Sequence, residues 1–267
     1  MSRLIGDKGD WNRIPRDEGL IRRLNEEAKK EAPNPGKENV EPPVKTSDVI
    51  ITPSEGYWRI YDVKYKDGIY TVDLAKSLLD NGTAKTQDGW AEYTEQARKS
   101  GDFHSGDMPL QHATFTALFK QKDKPESEEA REFIKKNMRE KWLMTLTRIK
   151  YTSKGLDEVI HNYRLNDSYS IQENIAGQNK AITNADSQAL KTLLGTGDVS
   201  EIKAVYDWIN STDTYLWRLN QKPAKLIECV AWFDAFSGWA DLGCGRHPGC
   251  SDASLGVRIV REAPRKT

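Results

Sequence analysis

The residues best equipped for chemistry stand together in the loop Cys244-Gly245-Arg246-His247-Pro248-Gly249-Cys250, where two thiols flank an imidazole. Soft ligands this close could hold zinc or copper, but structural zinc takes about four protein ligands and no second ligand pair lies nearby. With three cysteines in the chain, Cys229, Cys244 and Cys250, a complete disulfide framework is excluded. Cys244 and Cys250 are left either to pair across the loop or to stay free in a reducing compartment. A nucleophilic cysteine would need a base and an orienting group. His104, His112 and His161 are scattered and read as ordinary loop, helix and strand residues. The polar stretch Asp102-Phe103-His104-Ser105-Gly106-Asp107 fits a site or, equally, a cap for the helix opening at Pro109. No Gly-rich phosphate loop, zincin helix or nucleophile elbow is present. The expectation is a protein without catalytic residues, metal or cofactor.

A different signal surrounds that loop. From Cys229 to Arg261 there is no Lys, Glu, Gln, Asn or Met, although Lys and Glu are frequent upstream. In their place stand aromatics, glycines and short polar residues, the palette of a recognition surface rather than of an ordinary charged exterior. Phe233, Phe236 and Trp239 sit among Gly, Asp and Ser with no clean period of two or 3.6, so not all are expected to point inward. Trp217, inside a strand-like run, is expected in the core.

Bulk properties exclude several classes. Forty basic residues balance forty acidic ones, which removes any global electrostatic argument for nucleic acid or an anionic membrane. No apolar run approaches the ~20 residues of a membrane helix, and the N-terminus lacks a hydrophobic signal core. Synthesis in a cytoplasm is the default expectation, with display on a virion or cell surface left open.

The elements that must position these residues follow from periodicity. Residues 1–47 read as an arm: a charged helix over Asp17–Ala32, then a linker punctuated by Pro33, Pro35, Gly36, Pro42 and Pro43. It is either a flexible tail or a segment attaching the protein to a larger assembly. A domain over 48–267 should open with strands at Asp48–Thr52 and Tyr57–Val63. Helices are expected at Val72–Leu79, Gly89–Ala97, Pro109–Phe119, from Pro125, at Ser187–Leu194 and at Ser200–Ile209. Further strands are expected at Trp142–Ile149, Val159–Tyr163, Tyr215–Leu219 and Leu255–Arg261. Without a regular βαβ repeat the class is α+β.

Several of these pieces resemble the archaeal variable proteins of diversity-generating retroelements. They are Lys141–Ile149, Ile160–Tyr163, Tyr215–Pro223, Val230-Ala231 and the terminal Ser254-Leu255-Gly256-Val257-Arg258. The resemblance runs from about Tyr57 to Arg261 and implies a C-type lectin-like fold of the formylglycine-generating-enzyme type. It implies a variable region at about 229–258, whose adenines are randomised by error-prone copying. The implied ligand-facing positions are Phe233, Phe236, Gly238, Trp239, Asp241, Gly243, Gly245, Arg246, His247, Gly249 and Cys250, with Trp232 and Trp239 less secure because an Asn codon altered at its adenines does not yield tryptophan. The implied function is recognition of a protein or other cell-surface ligand by a viral or cellular display device, with no catalysis. Two alternatives stand beside it: a copper-dependent oxidoreductase using Cys244 and Cys250, and a structural tail or fibre component anchored by residues 1–47. Joint replacement of Phe233, Phe236, Arg246 and His247 is expected to spare the fold.

Overall fold

The computed structural model describes residues 51–236 and 238–260, all within the compact unit Thr46–Thr267. The expected arm helix and linker, residues 48–50 of the first expected strand, and Arg261 lie outside the described residues.

Four of the five described α-helices begin where a side-chain oxygen accepts an otherwise orphaned backbone N–H. Thr86 caps α1 (Gln87–Ser100), Asp107 caps α2 (Met108–Phe119), Asp186 caps α4 (Ser187–Leu194) and Asp198 caps α5 (Val199–Asn210). Helix α3 (Pro125–Glu140) opens instead on proline, with Glu126 and Glu128 at its positive end. The five helices contain the segments expected from periodicity near 89–97, 109–119, 125, 187–194 and 200–209.

The sixth expected helix does not form. Val72–Leu79 belongs almost wholly to a strand, β3 (Gly68–Leu78), hydrogen-bonded to β2 (Tyr57–Tyr65) on one side and to β12 (Leu255–Val260) on the other. Thr71, Val72, Asp73, Leu74 and Ala75 are buried in succession, so both faces of β3 are covered. A run buried on both faces has no period to separate strand from helix, and the two strand partners decide it. Together with β1 (Ile51–Pro53) and β4 (His104–Ser105) these strands make a five-stranded sheet, ordered β1-β2-β3-β12-β4.

A seven-stranded sheet holds the rest. It comprises β5 (Leu143–Tyr151), β6 (Asp157–His161), β7 (Tyr169–Glu173), β8 (Lys180–Ala181), β9 (Thr214–Trp217), β10 (Ile227–Ala235) and β11 (Ala240–Arg246). Its order is β7-β6-β5-β10-β11-β9-β8, antiparallel throughout except between β9 and β11. Strand β6 stops at His161 rather than at the expected Tyr163, because Asn162 takes a left-handed φ of 50° that leaves the ladder. Strand β9 stops at Trp217, where the Arg218 backbone N–H donates to Asn179 Oδ1 at 2.8 Å instead of to a neighbouring strand. The described part is therefore α+β, as expected, and no described helix is long and apolar enough to cross a membrane.

Two apolar clusters lie on opposite faces of β5 and β10. Leu143, Ile149 and Tyr151 of β5 join Cys229, Ala231 and Phe233 of β10 in the large core beneath α2 and α5. Met144, Leu146 and Val230 turn the other way, onto Trp90 and Ala91 of α1.

The C-terminal string is held by a buried charge. Asp73 of β3, with no exposed side-chain surface, accepts from Arg59 Nε at 2.8 Å on one oxygen and from Arg258 Nη2 at 2.8 Å on the other. The carboxylate thus ties β2, β3 and β12 together, and it raises the pKa of Arg59 through their hydrogen bond. Removing one partner of such a cluster strands the others. Asp73→Ala should cost about 3–5 kcal/mol in denaturant-induced unfolding, and a loss below ~0.5 kcal/mol would show that the clamp contributes nothing. Because β12 lies between β3 and β4, deletion of Leu255–Arg261 should abolish soluble expression; a soluble, folded truncation would contradict the sheet order.

Candidate functional site

The stretch richest in aromatics and glycines, expected as loops, folds as the hairpin β10–β11 in the middle of the larger sheet. Both of its faces are buried, so no polar alternation marks its period; the register with both neighbouring strands also slips between Val230 and Trp232. From Trp232 to Ala235 the pairing is regular: Trp232 opposite Gly243, Phe233 opposite Leu242, Asp234 opposite Asp241, Ala235 opposite Ala240.

That register sorts the expected site residues. Phe233 faces the helices and is fully buried, its ring 5.5 Å from Phe115 and 6.2 Å from Tyr206. It is a core residue, contrary to expectation, because its neighbours Ala231 and Ala235 leave room under α2 and α5 for one large ring. Cys244 shares that face and is also fully buried.

The opposite face carries Trp232, Asp234, Asp241 and Gly243. Alongside, β9 pairs Tyr215 with Asp241 and Trp217 with Gly243. Trp217 is only half-buried on this face, not in the core as expected, while its neighbour Leu216 takes the core side. Asp241 is 4% exposed, which corrects its assignment as a ligand-facing position. Burial, then the charges of Asp213 and Asp241, raise the pKa of Tyr215.

Gly243 is not free to vary on its own. A Cβ there would stand 2.1 Å from Cε2 of Trp232, whose indole lies across the glycine. Trp232 in turn stacks on Trp142, ring centres 5.8 Å apart and 18° from parallel. The guanidinium of Arg246 lies 3.8 Å from the centre of the Trp142 ring and grips Asp252 through two hydrogen bonds of 2.8 Å. Arg246 is thus a clamp: its fork is committed to Asp252 and one face to Trp142, and only 12% of its side chain is exposed. The stack Trp232–Trp142–Arg246–Asp252 orders the loop that follows β11. Sequence reasoning missed Trp142, Tyr215 and Asp234 on this face, because only the pairing of β5, β9, β10 and β11 brings them together.

The remaining expected positions do reach the surface, at the two ends of the hairpin. At the β10–β11 turn, Phe236 N donates to Trp239 O at 2.7 Å, their rings lie 5.4 Å apart, and Gly238 is exposed with nothing within 4 Å of a would-be Cβ. At the other end Gly245 is equally open. The exposed His247 accepts from Gly249 N through Nδ1, and its carbonyl accepts from Cys250 N, closing a tight turn over Cys250. The six residue steps from Ala240 to Arg246 span roughly 20 Å at strand rise, so these are two patches rather than one.

The cysteines do not converge on a reactive site. All three are free. Burial pushes the Cys229 thiol up to about 12 and the Cys244 thiol higher still, which suppresses the thiolate that metal binding or nucleophilic attack requires. Among the described residues no three His, Cys, Asp or Glu side chains are grouped closely enough to hold a metal ion. His104 and His161 are buried with pKa values lowered chiefly by burial, and Asp107 acts as the cap of α2. The Asp102–Asp107 loop thus has a structural task.

No family model matches the chain, and neither the curated proteins nor the solved structures contain a match.

The two classes of position should separate in stability. Phe233→Ala should lower the unfolding free energy by about 3–5 kcal/mol, whereas Phe236→Ala and His247→Ser should each stay within about 0.5 kcal/mol. Equal losses would show that the hairpin ends belong to the core. Gly243→Ala should lower the melting temperature in the wild type, and much less in a Trp232→Ala background. An equal drop in both would remove the indole as the cause.

Proposed function

We propose that this chain is a diversified ligand-binding protein with a C-type lectin-like domain, of the kind its sequence resembles, and that it is not an enzyme. The observation that carries the reading is a division of labour within residues 229–258. Scaffold positions are locked by neighbours: Phe233 in the core, Gly243 under Trp232, Arg246 on Asp252. The hairpin ends, Phe236–Trp239 and Gly245–Cys250, include positions such as Gly238 and Gly245 where a side chain would meet open space. A surface that must change without unfolding its protein needs this separation.

The variable positions of this reading are Phe236, Gly238, Trp239, Gly245, His247, Gly249 and Cys250. Patches about 20 Å apart match the width of a standard protein interface, about 800 Å² per partner, better than a small-molecule pocket. The ligand is accordingly a protein or a large cell-surface molecule, and display on a virion or cell is the setting. The copper oxidoreductase alternative would need Cys244 at the surface as a thiolate, and its burial in the main core argues against that. A tail or fibre component remains compatible with ligand binding.

Sequencing the DNA that flanks the gene tests the proposal. The expected result is a near-copy of the codons for residues 229–258 beside a reverse-transcriptase gene, differing chiefly at adenines. Its substitutions should fall on the seven positions above and spare Phe233 and Ala231. Changes concentrated on the buried positions, or the absence of any such copy, would overturn the reading.

A further inference from the structure

Away from the hairpin, a cavity of about 620 Å³ opens between the β2–β3 turn, β7, one face of α2 and the C-terminal end of α4. Its volume falls in the ~300–1,000 Å³ range of small-molecule sites. Helix α2 lines it with Pro109, His112, Ala113, Thr116, Ala117 and Lys120, at the three- and four-residue spacing that puts them on one side of the helix. The two alanines make the space, and Ile171 and Leu194 add apolar wall from β7 and α4.

Two buried polar atoms on this wall have no hydrogen-bond partner: His112 Nε2 and Thr116 Oγ1, one helical turn apart. His112 is 1% exposed and stacks on Tyr206, ring centres 5.6 Å apart. Burial holds the imidazole neutral, with a pKa near 3. The Tyr206 hydroxyl meets His112 Nδ1 at 3.2 Å. Were Nδ1 to donate, the hydroxyl hydrogen and Nε2 would both lack partners, so the tautomer that leaves fewer buried groups unpaired has the hydroxyl donating and the ring proton on Nε2. A buried donor of this kind destabilises the fold until something satisfies it.

The mouth carries four ammonium groups, on Lys64, Lys66, Lys120 and Lys191, against the carboxylates of Asp62, Asp67 and Glu201. Lys120 is matched by Glu201 at 3.2 Å, and Lys66 rests over the Tyr169 ring at 4.3 Å. Lys64 and Lys191 have no ion-pair partner among the described residues. Lys66 is also within 4.0 Å of Asp167, so Lys64 and Lys191 are the two mouth ammonium groups left to meet a negative charge above the apolar wall.

We propose that this cavity is a binding site for a small organic monocarboxylate, its chain against Pro109, Ala113, Ile171 and Leu194 and its oxygens within reach of His112 and the mouth lysines. The site shares no residue with the hairpin, so it stands or falls independently of the ligand-binding reading.

Calorimetric titration of the full chain with octanoate, octan-1-ol and octylammonium tests it. Octanoate should bind with a dissociation constant below about 1 mM and at least about tenfold more tightly than either of the others. The surface variant Lys64→Gln/Lys191→Gln should weaken octanoate about tenfold while leaving octan-1-ol unchanged, and Ala113→Trp, which fills the cavity, should abolish both. Equal affinities for the three probes, no octanoate binding, or unchanged octanoate binding in the double lysine variant would overturn the proposal.

Discussion

The larger sheet depends on how β5 meets β10. Between Met144 and Arg148 strand β5 has three residues where β10 has one, so the ladder cannot satisfy every backbone group there. Buried side chains complete it. Gln87 donates to the Thr145 and Thr147 carbonyls at 2.9 and 3.0 Å, and its own carbonyl accepts from Arg148 Nε at 2.6 Å. Thr147 Oγ1 accepts from Met108 N at 2.9 Å, and Thr145 Oγ1 donates to Ala231 O at 2.7 Å. The threonines that mark this segment in the sequence therefore act as internal hydrogen-bonding groups of a bulged, doubly buried strand.

That bulge sets the register of β10, and β10 sets the faces of the hairpin. Val230 points at α1 and Phe233 at α2 because β10 keeps its two-residue alternation through the slip, the extra residues lying on β5. Trp232 then covers Gly243, stacks on Trp142, and leaves Arg246 to close on Asp252. The loop after β11 is held by the same network, since Asp252 also accepts from Trp90 Nε1 through its carbonyl at 2.8 Å. Fold and candidate surface thus share residues, and an added side chain meets open space only where the network ends, as at Gly238 and Gly245.

The five-stranded sheet is organised by a different principle, a buried carboxylate with two guanidinium partners. Asp73 holds Arg59 and Arg258, and Arg258 also lies 4.6 Å from the centre of the Phe103 ring. The arginine of the terminal Leu-Gly-Val-Arg string is therefore a structural residue, binding the last strand to the middle of its sheet.

The sequence by itself determined the elements whose causes are local. The helices were legible because their apolar residues recur at helical spacing within a few residues, as over Pro109–Phe119 after the polar loop that ends at Asp107. The α+β class, the strands at Tyr57 and Leu143, and the unusual composition after Cys229 were legible on the same ground. Only the tertiary structure decided β3 against helix, joined Trp142 to Trp232 and Arg246, and separated Phe233 from Phe236. The physical reason is burial on both faces. A strand covered on each side shows no alternation to read, and which face holds a ring, a carboxylate or a glycine is set by neighbours distant in sequence.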